Sequence, residues 1–216
     1  MKTTRAAEKN TGPRRMTSLE RRRQIVDVAG RLFSRKGFKG TTTREIAREA
    51  GISEATIFKY FARKEALFEA IIDRCCNDES GNLTLMKKLD GKQGREAFEE
   101  VVEFFMERYA EDPSFARLLM FSALEREKFS EIFFRSKGME VLGYLSRQIE
   151  GMMEKGVFRP LDPELCARAF LGMVIHYCMV QEIFGFKRFF DRPRAVVAET
   201  FVDIFLNGMV TRERHK

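Results

Sequence analysis

Residues 41–64 read TTTREIAREAGISEATIFKYFARK, and this stretch decides the fold. It reads as two short helices joined by a tight turn. Thr42 is a good N-cap and Glu45 stands three residues later, a pairing that satisfies two orphan backbone N–H groups reciprocally. Ile46, Ala47 and Ala50 then form an apolar stripe at helical spacing. Gly51 follows, the residue best suited to the left-handed conformation that closes a helix. Ser53 caps a second helix in which Ile57 and Phe61, four apart, point inward with Ile52. Glu54, Ala55, Thr56, Lys59 and Tyr60 are left on the open side. A short helix with hydroxyls, a small residue and a cation outward, held by a helix crossing before it, is the layout of a DNA-reading helix-turn-helix. Capped helical pairs are common, so an ordinary helical hairpin stands beside that reading.

Around this stretch lie 216 residues, 44% hydrophobic and 33% charged, a globular composition with enough chain for a sizeable core. Proline is rare, and most of the chain runs in helical periodicity without strand-like alternation, so the predicted fold class is all-α. Net charge is +7. Its distribution is uneven: residues 1–74 hold 18 Lys and Arg against 9 Asp and Glu, whereas residues 75–216 hold 21 against 23. The whole positive excess sits on the segment with the helix-turn-helix, as expected of a part that meets phosphates. Cys75, Cys76, Cys166 and Cys178 show no paired metal spacing, and the N-terminus is polar throughout. A cytoplasmic chain with reduced thiols is expected. The longest charge-free helical run, Ala169–Gln181, is too short for a membrane span.

Residues 1–16 read as a flexible basic tail, whose Lys2, Arg5, Lys9, Arg14 and Arg15 could reach a minor groove or stay solvated. Met16 is a candidate start, since the organised pattern begins after it. The first helix opens at Thr17 with Glu20 three on, and its inward stripe is Ile25, Val26, Ala29, Leu32 and Phe33. Arg21, Arg22 and Arg23 lie in its first turns, where the helix dipole disfavours each cation by about 0.3–1 kcal/mol. A phosphate partner would offset that cost. Gly37 ends the helix, and Phe38 packs over the following turn.

The run IVDVAGRLFSRKGFKGTTTREIAREAGISEATIFKYFARKEALFEAII resembles the DNA-binding domain of the tetracycline-repressor (TetR) family. The likeness covers roughly residues 19–72 and is carried by A-x-x-L-F-x-x-x-G-F, T-T-x-x-I-A-x-x-A-G-I-S and K-E-x-L at unbroken spacing. It implies a three-helix head, a fourth helix leading to a larger helical body, and a homodimer, mostly in the service of ligand-released repression. By position, Thr43 would hold a phosphate and Arg44 would reach a phosphate or a base edge. Ser53, Glu54, Ala55 and Thr56 would open the recognition helix, with Lys59 and Tyr60 following on its exposed side. Lys64 would take another phosphate. Two positions depart from the pattern. Phe58 stands where a tyrosine is usual and offers only apolar contact, and Arg63 replaces a small capping residue. Glu54 could accept from a cytosine amino group or serve only as a helix N-terminal acid.

Residues 17–74 are thus expected to form the DNA-binding domain and residues 75–216 a ligand-binding and dimerisation domain, with the boundary in the glycine-containing stretch 78–94. Sixteen of the 21 phenylalanines and nine of the 11 methionines fall after residue 74. Helices are predicted at about 93–110, 113–127, 130–155, 163–184 and 192–212. The last two are apolar over an arc wide enough to bury two faces, one of which needs a partner. Phe170, Met173, Tyr177, Val197, Phe201, Ile204 and Phe205 are the expected dimer-interface residues. Tyr109, Phe121, Tyr144, His176, Tyr177 and Gln181 are the candidates for facing an apolar ligand pocket. No His–carboxylate–nucleophile set, phosphate loop or metal spacing is evident, so no enzyme, metal or cofactor is expected. A basic membrane-surface module would need Trp or Leu opposite its Arg face, and the chain has no tryptophan. The resulting reading is a homodimeric repressor that binds a double-stranded operator and is released by a small apolar or aromatic ligand. A family member that activates, or that acts without such a ligand, is the alternative.

Overall fold

The computed structural model describes residues 16–77, 82–125 and 129–210. The basic tail, the thiols of Cys75 and Cys76, and His215 lie outside the described residues. Within them the chain is helical: α1 (Ser18–Lys36), α2 (Thr43–Glu49), α3 (Glu54–Tyr60), α4 (Lys64–Asn77), α5 (Asn82–Lys88) and α6 (Gly94–Glu111) come first. They are followed by α7 (Ser114–Glu125), α8 (Phe129–Phe133), α9 (Met139–Glu154), α10 (Pro163–Glu182) and α11 (Arg194–Met209). Among the described residues the backbone forms no strand beyond a single isolated bridge between Phe158 and Val210.

Side-chain caps fix the head. Thr17 and Glu20 form the reciprocal box at the start of α1, and Thr42 and Glu45 repeat it at α2. Between them, the hydroxyl of Thr41 donates to the Gly37 carbonyl at 2.9 Å and closes the turn. Gly51, at φ 64°, reverses the chain into α3, which Ser53 caps through the Thr56 N–H. Ile25, Phe33, Ile46, Ile57 and Leu67 are fully buried in one core. Phe33, Phe38 and Phe68 lock it, with ring centroids 4.7–5.4 Å apart.

The head does not end at α4. Helix α7, from the second part of the sequence, lies along α1 and contributes Leu118, only 1% exposed, to the head's own core. Arg117 donates from Nε to the Ser34 carbonyl at 3.2 Å, and Glu125 Oε2 accepts the N–H groups of Phe38 and Lys39 at 2.9 and 3.2 Å. Helix α7, which falls in the second of the two expected parts, thus packs against the first as well.

The body is built on α10, which packs against α9 and α6, with α11 also on α6. Phe98, Phe170 and Phe205 meet at its centre, with centroids 4.9–5.3 Å apart. Asp162 caps α10 through the Leu165 N–H with Pro163 in the first turn, as the sequence pattern predicts. The single helix expected over 130–155 is instead interrupted by a π-turn at Phe134–Gly138. A Cβ on Gly138 would come 2.7 Å from Cδ1 of Phe134, so a larger residue there would require that ring to move.

Candidate nucleic-acid interface and body cavity

On α3, Ala55, Phe58 and Lys59 are exposed, while Glu54, Thr56 and Tyr60 are half-buried. The Ser53 and Thr56 hydroxyls lie 2.8 Å apart and stiffen the first turn. Glu54 bends back over the start of α2, where its carboxylate accepts the Thr43 hydroxyl and lies 3.9 Å from Arg44 Nε. Thr43, Arg44 and Glu54 are therefore one cluster rather than three independent positions. Phe58 is 49% exposed, a large apolar ring standing outward beside Lys59.

Lys64 is placed differently from the sequence expectation. Its ammonium donates to the Phe38 carbonyl and stands 4.0 Å from the centroid of the Phe38 ring. That carbonyl and the ring's negative face draw the charge inward, away from the surface assigned to a phosphate. Among the three N-terminal arginines of α1, Arg22 lies over the Phe61 ring at 5.0 Å and Arg21 donates to Gln24 at 2.6 Å. Gln24 in turn donates to the Ala50 carbonyl, tying α1 to the end of α2. Lys36 pairs with Glu45 at 2.6 Å, and this bond holds the Glu45 carboxyl below the usual range.

In the body, α6, α7, α9 and α10, with Phe133 of α8 and the π-turn at Phe134–Gly138, line a cavity of about 320 Å³. Phe104, Phe105, Phe115, Leu142, Leu171 and Ile175 supply most of its wall. Burial pushes the Tyr109 hydroxyl up to about 12, so at neutral pH it is a protonated donor. Arg108 and Arg168 reach the same cavity, as does Asp112. The expected ligand residues do not converge on it: Tyr109 alone among the six lines it. Tyr144 donates to the Leu89 and Lys92 carbonyls, at 3.3 and 2.9 Å, and ties the α5–α6 connection to α9. Phe121 lies against the turn at Gly37. His176, Tyr177 and Gln181 line a separate apolar groove between α10 and α11, because Leu171 and Ile175 are the α10 residues that face the cavity. Sequence reasoning missed Phe104, Phe105, Arg108 and Arg168. The signal available was an aromatic pair followed one turn later by a cation.

The expected dimer-interface set also divides. Phe170 is 0% exposed, and Phe205 and Val197 are buried, all within the protomer's own interior. Phe170 and Phe205 stack on Phe98 of α6, which already covers that side of α10 and α11. On the opposite side, Ile204 is 60% exposed, with Met173, Tyr177 and Phe201 half-buried beside it. Cys178 is buried and its thiol is pushed up to about 12, an inert group. Among the described residues no cluster of His, Cys, Asp and Glu could hold a metal ion, and no helix is long and apolar enough to cross a membrane.

Two family models match this chain. The model for bacterial regulatory proteins of the tetR family covers residues 25–71, and that for the C-terminal domain of AefR-like transcriptional repressors covers residues 113–208. The chain is similar to the HTH-type transcriptional regulator YvkB of Bacillus subtilis, 24% identical over 200 residues, covering 87% of this chain and 96% of that one. It is also similar to the HTH-type transcriptional repressor NicS of Pseudomonas putida, 27% identical over 177 residues, or 79% of each. Among solved structures, AibR in complex with isovaleryl coenzyme A and operator DNA shares the fold, with a TM-score of 0.63 at 20% identity, covering 88% of this chain and 98% of that one.

Proposed function

Since this chain belongs to the tetR family of bacterial regulatory proteins, we propose that it is a homodimeric repressor released from a palindromic operator by a small apolar ligand. The ligand sits in the cavity bounded by Phe104, Phe115 and Leu171. The exposed side of α3 enters the major groove, with Ser53, Ala55, Thr56, Phe58, Lys59 and Tyr60 toward the DNA. Thr43 and Arg44 meet the backbone once Glu54 yields to a phosphate. Two copies join through the outward side of α10 and α11, at Met173, Tyr177, Phe201 and Ile204, and so set the spacing of the two recognition helices.

One observation carries the ligand-released reading: α7 takes part in both the cavity wall and the head core. Phe115, Ala116 and Leu119 line the cavity, Leu118 is buried in the head core, and Glu125 holds the turn after α1. A ligand that displaces Phe115 therefore moves a helix that the head cannot ignore. In this reading α7, rather than the α4 that leads from head to body, is the lever. That AibR was crystallised with both an acyl-coenzyme A and its operator supports pairing the two functions on this fold.

The deciding experiment is fluorescence anisotropy of the full chain on the DNA flanking its own gene, repeated with each compound that raises its melting temperature. A sharp, palindrome-dependent affinity that falls with a cavity ligand is expected. Affinity equal on all DNA, or unchanged by every stabilising compound, overturns the ligand-released repressor.

A further inference from the structure

We infer that the cavity ligand is an anionic amphiphile, with an apolar body among the phenylalanines and one oxyanion, carboxylate or phosphate, drawn to Arg108 and Arg168. This deepens the proposed function and rests on its reading of the cavity as the ligand site. The wall is apolar apart from Tyr109, Asp112 and two guanidiniums, Arg108 from α6 and Arg168 from α10. Arg108 is half-buried and Arg168 exposed. Among the described residues neither guanidinium has a carboxylate within ion-pair distance, whereas Arg74, Arg95 and Arg135 all do. The one carboxylate of the wall is already engaged: Asp112 Oδ1 accepts the Ser114 N–H at 2.9 Å and starts α7. An apolar volume with two cations and one committed anion at its edge carries a positive charge that an oxyanion would meet. Guanidinium is the side chain whose planar donors match carboxylate and phosphate in pairs.

Size narrows the ligand further. At about 320 Å³ the cavity lies at the small end of ligand sites, which suits a short acyl or arylalkyl chain. Of the two cations, Arg108 is the one that also reaches the head. Arg108, Asp112 and Phe115 line a second cleft, of about 300 Å³, together with Asp27, Arg31 and Arg74 of α1 and α4. An oxyanion at Arg108 thus sits beside the junction of head and body, where a shift of Phe115 or Asp112 alters the start of α7.

Calorimetric titration of the full chain tests this with octanoate, octyl phosphate and 4-phenylbutanoate against octan-1-ol and 4-phenylbutan-1-ol. The oxyanions are expected to bind roughly tenfold to a hundredfold tighter than the matched alcohols. Arg108→Gln and Arg168→Gln, both at solvent-accessible positions, should close most of that gap and leave the alcohols' affinity unchanged. Alcohols that bind as tightly as the oxyanions overturn the anionic ligand. If Ala116→Phe then abolishes their binding, the cavity reading survives that failure. Should folded Ala116→Phe and Leu142→Phe variants leave every affinity unchanged, or should no probe bind at millimolar concentration, the cavity reading falls and this inference with it.

Discussion

The carboxylate of Glu125 accepts the backbone N–H of Phe38 at 2.9 Å, joining the last turn of α7 to the turn that follows α1. The same oxygen accepts the Lys39 N–H at 3.2 Å, and Lys39 Nζ returns to the Glu125 carbonyl at 3.0 Å. Phe38 in turn packs between Phe33 and Phe68. A side chain at the end of the cavity-lining helix therefore holds the turn that leads into α2.

Glu125→Ala should accordingly have two separable effects. Losing charge-assisted bonds to two backbone donors costs about 1–3 kcal/mol of stability, read by urea denaturation. The second effect is on coupling: a cavity ligand should still bind, with little change in affinity, but release operator less completely. Equal release in the parent and in Glu125→Ala would remove α7 from the route.

Lys64→Ala discriminates between the position implied by family resemblance and the position the side chain occupies. With its ammonium on the Phe38 carbonyl and ring, truncation should destabilise the head by about 1–2 kcal/mol. The slope of log affinity against log salt should stay as in the parent. A slope shallower by about 0.9 would instead mean that Lys64 neutralises one phosphate.

How far the sequence was legible follows from which forces act locally. Both capping boxes, Gly51 and the Ser53 cap are properties of residues three or four apart, and each appears where its spacing predicts. The head core of Ile46, Ile57 and Leu67 follows from helical stripes in the same way. Long-range choices were not legible. Lys64 can turn out to a phosphate or in to a carbonyl 26 residues away, and only the folded turn at Phe38 decides. The apolar stripes of α10 were visible, but not which of them Phe98 would cover. The cavity depends on several helices, and on the π-turn between α8 and α9, whose relative phases no periodicity specifies.

Two acidic groups, the buried Cys178 and the half-buried Tyr109, make the protein alkali-sensitive in a defined direction. Burial raises Cys178 from its ordinary 9.0 to about 12 and Tyr109 from 10.0 to about 12, with each partly raised by a neighbouring charge or thiolate. Both folded values lie above the unfolded ones. Their contribution is therefore complete below pH 9 and is lost as pH climbs from there through about 12. For Tyr109 the loss is about 3 kcal/mol. Tyr109→Phe should flatten the alkaline limb of a pH–stability curve, and absorbance of tyrosinate in the parent should show a late-ionising component that is reduced in this variant. A Tyr109→Phe variant with an unchanged alkaline limb would contradict this.

Ile204→Glu and Phe170→Ala separate the two sides of the α10–α11 pair. Ile204 is largely exposed in the protomer, so a carboxylate there costs the monomer little and faces its own copy across a two-fold axis. Sedimentation should show Ile204→Glu as a folded monomer. Phe170→Ala opens a hole beside Phe98 and Phe205 and should cost about 3–5 kcal/mol of stability, while any protein that remains folded stays dimeric. The reverse pattern would move the interface to the side now filled by α6.

The last prediction concerns reciprocity between ligand and operator. A ligand changes operator affinity only through its different affinities for the DNA-bound and released arrangements. A hundredfold release therefore requires a preference of about 2.7 kcal/mol, within the ordinary range of coupling. Operator DNA must then weaken the ligand by the same hundredfold. That condition can be measured from the ligand side alone, without following DNA. Titrating octanoate, or whichever probe binds most tightly, into the free chain and into the chain saturated with operator should give dissociation constants two decades apart. In Arg108→Gln the two constants should converge as well as rise, because the oxyanion is expected to act at the residue shared by the cavity and the head junction. Equal constants in the parent would mean that the compound fills the cavity without selecting an arrangement, and it would not be the inducer.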